Sequence, residues 1–202
     1  MPRRLEENVL EALEAVKATP RTGWMLRGVQ HAVAEPIAAH MAESAVLALL
    51  LAEKLQEGGI DVNPYKAASI AAVHDLAEGY IGDIVKRAAE LMGSHLKERI
   101  ELEEAHRKLG DTIVYRLVEE YVRQETVESK VAKLAEQLST LIQSLRYLRQ
   151  GYRVREILCG MLKSIEHSPY AHIIDSLFPV TMHEARSLCR GGEREQRKRQ
   201  RT

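Results

Sequence analysis

An all-α fold follows from the pattern of apolar residues along the chain. They recur at three- and four-residue spacing, the alternation expected of strands is nearly absent, and the periodic segments begin and end at residues that start and stop helices. With 202 residues, 45% of them hydrophobic, the chain can fill a sizeable core, as a single-domain helical bundle with short appendages.

The first helix covers about Glu6 to Ala18 and stops before Thr19-Pro20, because a proline pushes the residue ahead of it out of the helical region. A loop then carries Trp24, Arg27, Gly28 and His31. The second helix starts near Pro36, whose locked dihedral suits a first turn, and ends at Gly58-Gly59. Asn63 caps a third helix whose first residue is Pro64, and this helix runs through Ala72, Val73 and His74 toward Gly79. Gly79 and Gly82 permit a sharp turn that sends Asp83 back toward His74 and Asp75. Further starts are expected at Ser94 and Asp111, after Gly93 and Gly110, and a long helix from about Val127 to Arg149 before Gly151. Two helices follow, about Arg153 to Glu166 and Tyr170 to Leu177, and Thr181 caps a last one to Cys189. The domain then spans residues 1–190. Residues 191–202 form a basic tail without an apolar residue after Gly192, which is expected to be disordered.

Composition excludes several classes of function. Twenty-nine Lys and Arg balance twenty-nine Asp and Glu, so no overall field favours nucleic acid or an anionic membrane. The tail has five basic against two acidic residues, which is weak support for nucleic-acid binding. The longest apolar run, Ala45 to Ala52, is far short of the ~20 residues that span a bilayer, so no membrane association and a cytoplasmic location are expected. Cys159 and Cys189 are too few for a disulfide framework and lack CxxC spacing; they read as reduced thiols.

The chemistry concentrates in Ser69-Ile-Ala-Ala-Val-His-Asp-Leu-Ala-Glu78. A histidine and a carboxylate side by side at the end of an apolar helix are costly to bury unless a metal ion or hydrogen bonds compensate them. His40, at the polar margin of the second helix, adds a second imidazole. Nitrogen from His40 and His74 with oxygen from Asp75 suits one divalent transition metal ion, Mn, Fe, Co, Ni or Zn, and suits Mg less well. Glu136, flanked by Leu134 and Leu138 on the long helix, is the candidate fourth ligand, although a lone Glu on an amphipathic helix is commonly just a solvated residue.

These residues, in this order, resemble the HD-domain metal-dependent phosphohydrolases, whose signature is a His, then a His-Asp pair, then a distant Asp. The branch of 5'-deoxynucleotidases and their HD-domain-containing relatives is similar over about residues 21–150. The likeness is carried by Arg21-Thr-Gly-Trp-Met-Leu-Arg-Gly, Ala39-His-Met, Val73-His-Asp-Leu-Ala-Glu, Gly82-Asp-Ile, Arg99-Ile-Glu-Leu-Glu-Glu-Ala, Lys133-Leu-Ala-Glu-Gln-Leu and Leu141-Ile-Gln. The resemblance implies His40, His74, Asp75 and Glu136 as metal ligands, with Glu136 standing where the family carries Asp. It implies Glu78 and Asp83 as the acidic residues of proton transfer and of water or sugar placement. It also implies Trp24 as part of a nucleotide pocket and Arg21 or Arg27 as the phosphate ligand, since Gly23 stands where the bacterial subgroup has Arg. The implied activity is removal of the 5'-phosphate from a (deoxy)nucleoside monophosphate by a homodimer; the alternative is a nucleotide-binding regulatory module with a weakened catalytic site.

Overall fold

The computed structural model describes residues 4–199, apart from the side chains of Lys86, Ser94 and residues 191–199. All regular structure among them is helical; the only β-type pairing is an isolated antiparallel bridge between Pro20 and Pro36. The helices are α1 (Leu5–Ala18), α2 (Thr22–Met25), α3 (Ile37–Glu57), α4 (Pro64–Val73), α5 (Glu78–Ile81), α6 (Lys86–Met92), α7 (Ser94–Leu109), α8 (Ile113–Arg123), α9 (Val127–Arg149), α10 (Arg155–Glu166), α11 (Ala171–Leu177) and α12 (Pro179–Arg199). None of the described helices is long and apolar enough to cross a membrane.

Most boundaries fall where the start and stop residues place them. Asn63 caps α4 by accepting the Lys66 amide at 3.1 Å, with Pro64 as the first helical residue. Two short helices, α2 and α6, lie within segments that the periodicity leaves irregular, being shorter than the two turns over which a period becomes visible. The cap of α8 is Thr112, which accepts the Tyr115 amide at 3.3 Å, rather than Asp111. α12 begins two residues before Thr181 and its backbone continues to Arg199, where the sequence predicts a tail without regular structure. The Glu, Arg, Lys and Gln of that stretch are good helix formers, and extending a helix already begun is far easier than starting one. Residues 200–202 lie outside the described part.

The chain divides into two compact units, residues 1–136 and 137–202, with α9 running through the boundary. In the first unit α3 packs along α4, and α1 packs against α3, α5 and α7. Their shared core joins Ala12, Val16, Ile37, Met41, Leu76 and Leu109. A smaller cluster of Ala77, Ala105 and Val118 ties the segment after α4 to α7 and α8.

In the second unit α12 packs on α10 and α11. Arg186 of α12 clamps them with paired hydrogen bonds to Asp175 at 2.6 and 3.0 Å and one to Glu166 at 3.0 Å. Cys159 and Cys189 form a disulfide between α10 and α12, their Cα atoms 5.6 Å apart, which corrects the expectation of reduced thiols. A separation of thirty residues hid the pairing, because only the antiparallel return of α12 along α10 brings the two positions together.

α5 approaches α1 more closely than any side chain would allow. A Cβ built on Gly79 would sit 2.9 Å from the Ala12 carbonyl oxygen and 3.2 Å from Val16 Cγ1. Gly79→Ala is therefore expected to destabilise the protein by about 1–3 kcal/mol, since backbone cannot yield as a flexible side chain does. Thermal unfolding followed by circular dichroism reads this as a melting point lowered by roughly 2–10 °C; an unchanged melting point contradicts the close approach.

Candidate metal centre

α4 stops at Val73, earlier than the sequence suggests, and His74 to Ala77 form a tight turn instead of a continued helix. Its hydrogen bonds link residues three apart: Leu76 N–H to Val73 O at 3.0 Å, Glu78 N–H to Asp75 O at 3.0 Å, and Gly79 N–H to Leu76 O at 3.1 Å. The turn is pinned on both sides, Leu76 in the core against α1 and α3, and Ala77 in the cluster with α7 and α8. His74, Asp75 and Glu78 therefore project from a backbone anchored by its own apolar residues.

His40 comes from the first turn of α3. That turn is fixed where the chain closes on itself, by Ile37 N–H to Thr19 O at 3.0 Å and Arg21 N–H to Glu35 O at 2.9 Å. His40 and His74 are buried, at 0% and 4% exposure, with their rings edge to face and centroids 5.2 Å apart. Asp75 Oδ2 lies 3.1 Å from His74 Nε2 and 3.9 Å from His40 Nε2. One ligand atom from each of the three residues lies within 4.8 Å of the others.

The protons follow from the partners. His74 Nδ1–H donates to the Ala71 carbonyl at 2.7 Å, because a carbonyl can only accept; its buried Nε2 is turned to Asp75, as a lone pair in the neutral ring and as an N–H in the imidazolium. A neutral-ring lone pair and a carboxylate oxygen 3.1 Å apart repel, so this contact calls for a positive centre between them, either a proton or a metal ion. Burial lowers the proton affinity of His74, but Asp75 outweighs it and raises the pKa. His40 is held well below its usual value by burial, with Arg21 and His74 adding to the effect. Burial likewise opposes ionisation of Asp75, and His74, His40 and Arg21 together outweigh it, so the carboxylate stays ionised.

Arg21, just before α2, faces this group: its Nη1 lies 3.3 Å from His40 Nδ1 and 3.8 Å from Glu35, and its Nη2 lies 3.8 Å from Glu136. Asp75, Glu35, Glu136 and Asp83 surround the guanidinium and, against burial, raise its pKa. Asp83 follows Gly82, whose φ of +82° turns the chain back, and its carboxylate accepts the Thr22 N–H at the start of α2. Trp24 is 2% exposed and donates its indole N–H to Glu35 at 3.1 Å. Arg27, half-buried after α2, donates its backbone N–H to Trp24 O at 2.9 Å.

Glu136 is buried on α9, outside the group of three. One oxygen lies 3.0 Å from Lys133 Nζ and accepts from the Tyr121 hydroxyl at 3.5 Å. Burial works against its charge, but Lys133, Arg21 and His74 prevail and keep its pKa low.

Glu78 stands apart in its protonation. At 4% exposure, burial and then the charge of Asp75 push its pKa up to about 9, although Lys97 pulls the other way. Its Oε1 accepts from Lys97 Nζ at 3.4 Å, while Oε2 makes no hydrogen bond. Lys97 is held in turn by Glu101 at 2.9 Å, one helical turn along α7.

The structure thus brings together His40, His74, Asp75, Glu78, Asp83, Arg21 and Glu136. It adds Glu35, Lys97, Glu101 and Tyr121, which sequence reasoning missed. The donor set of two imidazoles and a carboxylate, with the buried His74 Nε2 turned to the Asp75 oxygen, fits a divalent transition metal ion. His40, His74 and Asp75 would hold it.

Comparisons with known proteins agree with this geometry. The family model described as HD domain matches residues 13–177. The 5'-deoxynucleotidase HDDC2 of Xenopus laevis is 35% identical over 173 residues, covering 81% of this chain and 81% of that protein. Its Danio rerio counterpart is 28% identical over 202 residues, 93% of this chain and 94% of that one. Among solved structures, a conserved hypothetical protein from Pyrococcus furiosus is similar with a TM-score of 0.73 and 29% identity, covering 90% of this chain and 98% of that one. The PH0347 protein from Pyrococcus horikoshii is similar at a TM-score of 0.74 and 27% identity, covering 91% and 98%. With the His and His-Asp residues gathered in one buried cluster and the family model matching most of its length, this chain belongs to the HD domain family.

Proposed function

We propose that this protein is a divalent-metal-dependent phosphomonoesterase that removes the 5'-phosphate from nucleoside monophosphates, deoxynucleotides foremost. The observation that carries the reading is the convergence of His40, His74 and Asp75 beside a buried Glu78 and the guanidinium of Arg21. The relatives named 5'-deoxynucleotidase supply the substrate class.

Bound there, a divalent ion supplies Lewis acidity toward a phosphoryl oxygen and a water activated at neutral pH. His40, His74 and Asp75 would be its ligands, and Glu136, paired with Lys133 here, is the candidate for a fourth. Arg21 neutralises the phosphate, a role it serves better than Arg27 because it faces the ligand group. Glu78, protonated at neutral pH, delivers its proton from Oε2 to the leaving 5'-oxygen. Asp83 secures the start of α2 and borders the sugar, and Trp24 backs the same end of the pocket.

In this reading residues 1–190 act as one HD domain, which works as a homodimer. The metal is Mn, Co, Ni, Zn or Fe, from the mixed nitrogen and oxygen donors. A pairing surface is available on α3, where Val46, Leu49 and Leu50 are exposed on one face.

Two substitutions separate the roles. Asp75→Ala is expected to lower metal affinity by more than about a hundredfold and to abolish phosphate release while the protein stays folded and helical. Calorimetric titration with Mn or Co checks this, and a variant that keeps full activity refutes the metal site. Glu78→Gln retains the volume of a protonated Glu and leaves metal affinity within a few-fold, but lowers kcat by about 10²–10⁴. Steady-state phosphate release from a nucleoside monophosphate checks that, and an undiminished kcat removes Glu78 from proton transfer.

A further inference from the structure

Glu35 is a buried carboxylate that the reaction itself does not use. Its side chain is 6% exposed, so ionisation there needs strong compensation. Part of that compensation comes from the opposite limb of the loop between α1 and α3: the Trp24 indole N–H at 3.1 Å and the Arg21 guanidinium at 3.8 Å. The Glu35 backbone carbonyl also accepts the Arg21 N–H at 2.9 Å, next to the bridge between Pro20 and Pro36. Arg21 is thus tied to Glu35 through both its backbone and its side chain.

Trp24 closes the arrangement from the other side. Its ring lies 6.0 Å from the Arg21 guanidinium carbon, within reach of a cation–π contact. At 2% exposure it has almost no open face on which a base or sugar could stack. Its indole N–H is donated to Glu35 and its ring faces Arg21. Arg21 in turn touches His40 and Glu136, so the tether runs from Trp24 through Glu35 and Arg21 to the ligand group.

We propose that Glu35 is the positioning residue of the phosphate subsite: with Trp24 it holds the Arg21 guanidinium in place beside the metal ligands, so that Trp24 contributes to substrate binding through Arg21 rather than by stacking. A long Arg side chain loses considerable rotamer freedom when a ligand orders it, and a carboxylate that orders it beforehand removes that cost from binding. The effect belongs in KM and in substrate affinity, because Arg21 meets the phosphate in the ground state and the transition state alike.

The inference rests on Arg21 as the phosphate ligand of the proposed phosphohydrolase. Wild type, Glu35→Gln, Glu35→Asp and Trp24→Phe are compared in Mn-loaded form with deoxyadenosine 5'-monophosphate, in turnover and in calorimetric binding. Gln keeps an acceptor for the indole N–H but removes the negative charge that faces Arg21. Glu35→Gln is expected to raise KM and weaken binding about tenfold, with kcat within about threefold of wild type and one metal ion still bound. Trp24→Phe moves KM in the same direction, and Glu35→Asp, which keeps the charge, recovers part of the loss. An unchanged KM and affinity in folded Glu35→Gln, or a fall confined to kcat, overturns the proposal. Should Glu35→Gln fail to fold, Trp24→Phe decides, and a wild-type KM there overturns it equally. If wild type binds the nucleotide tenfold more tightly than Glu35→Gln yet releases no phosphate, the tether stands and the phosphohydrolase reading fails. If wild type does not bind it at all, both fail.

Discussion

A carboxylate held between two buried imidazoles is the constraint on which the rest of this fold depends. Asp75, His40 and His74 lie where burial penalises every charge, and His74 Nε2 faces Asp75 across 3.1 Å. Such a group survives only if the surrounding backbone is over-determined. Leu76 and Ala77 supply that by anchoring the same turn in two apolar clusters, and the first turn of α3 is fixed at Thr19 and Glu35. Gly79 then lets α5 lie directly against α1, which fixes the backbone just beyond Glu78.

Around that centre the environments of two carboxylates three residues apart are driven in opposite directions. Asp75 is surrounded by His74, His40 and Arg21 and stays ionised. Glu78 meets burial and the charges of Asp75 and Asp83, which outweigh Lys97 and Arg21, and keeps its proton at neutral pH. Pairs of titratable groups separated in this way divide acid from ligand roles within one site. The proposed phosphatase chemistry uses that division, with Arg21 as the cation that meets the substrate.

The parts of this arrangement that were legible in the sequence are those with local causes. Asn63-Pro64 marks the start of α4, Pro36 the start of α3, and the His74-Asp75 pair after an apolar run is costly enough to demand a reason. The end of α4 was not legible, since Leu76 and Ala77 continue the apolar pattern and only tertiary anchoring converts helix into turn. Lys97 and Glu101 look like a surface ion pair on a charged helix until α7 is seen to face Glu78. Glu35, ahead of a proline in a loop, carries no sequence signal beyond its charge. Glu136 is a similar case: its place near Arg21 follows from the path of α9 and not from its neighbours. The Cys159–Cys189 disulfide likewise depends on how α12 returns along α10.

The most direct test of a metal centre built on these three residues is anomalous X-ray diffraction from crystals of the Mn-loaded protein. The account predicts a single strong peak at the Mn edge, bound to one imidazole nitrogen each of His40 and His74 and to an Asp75 oxygen at about 2.0–2.3 Å. A crystal soaked in Mn that shows no peak between these side chains, or a peak only at carboxylates elsewhere on the surface, contradicts it.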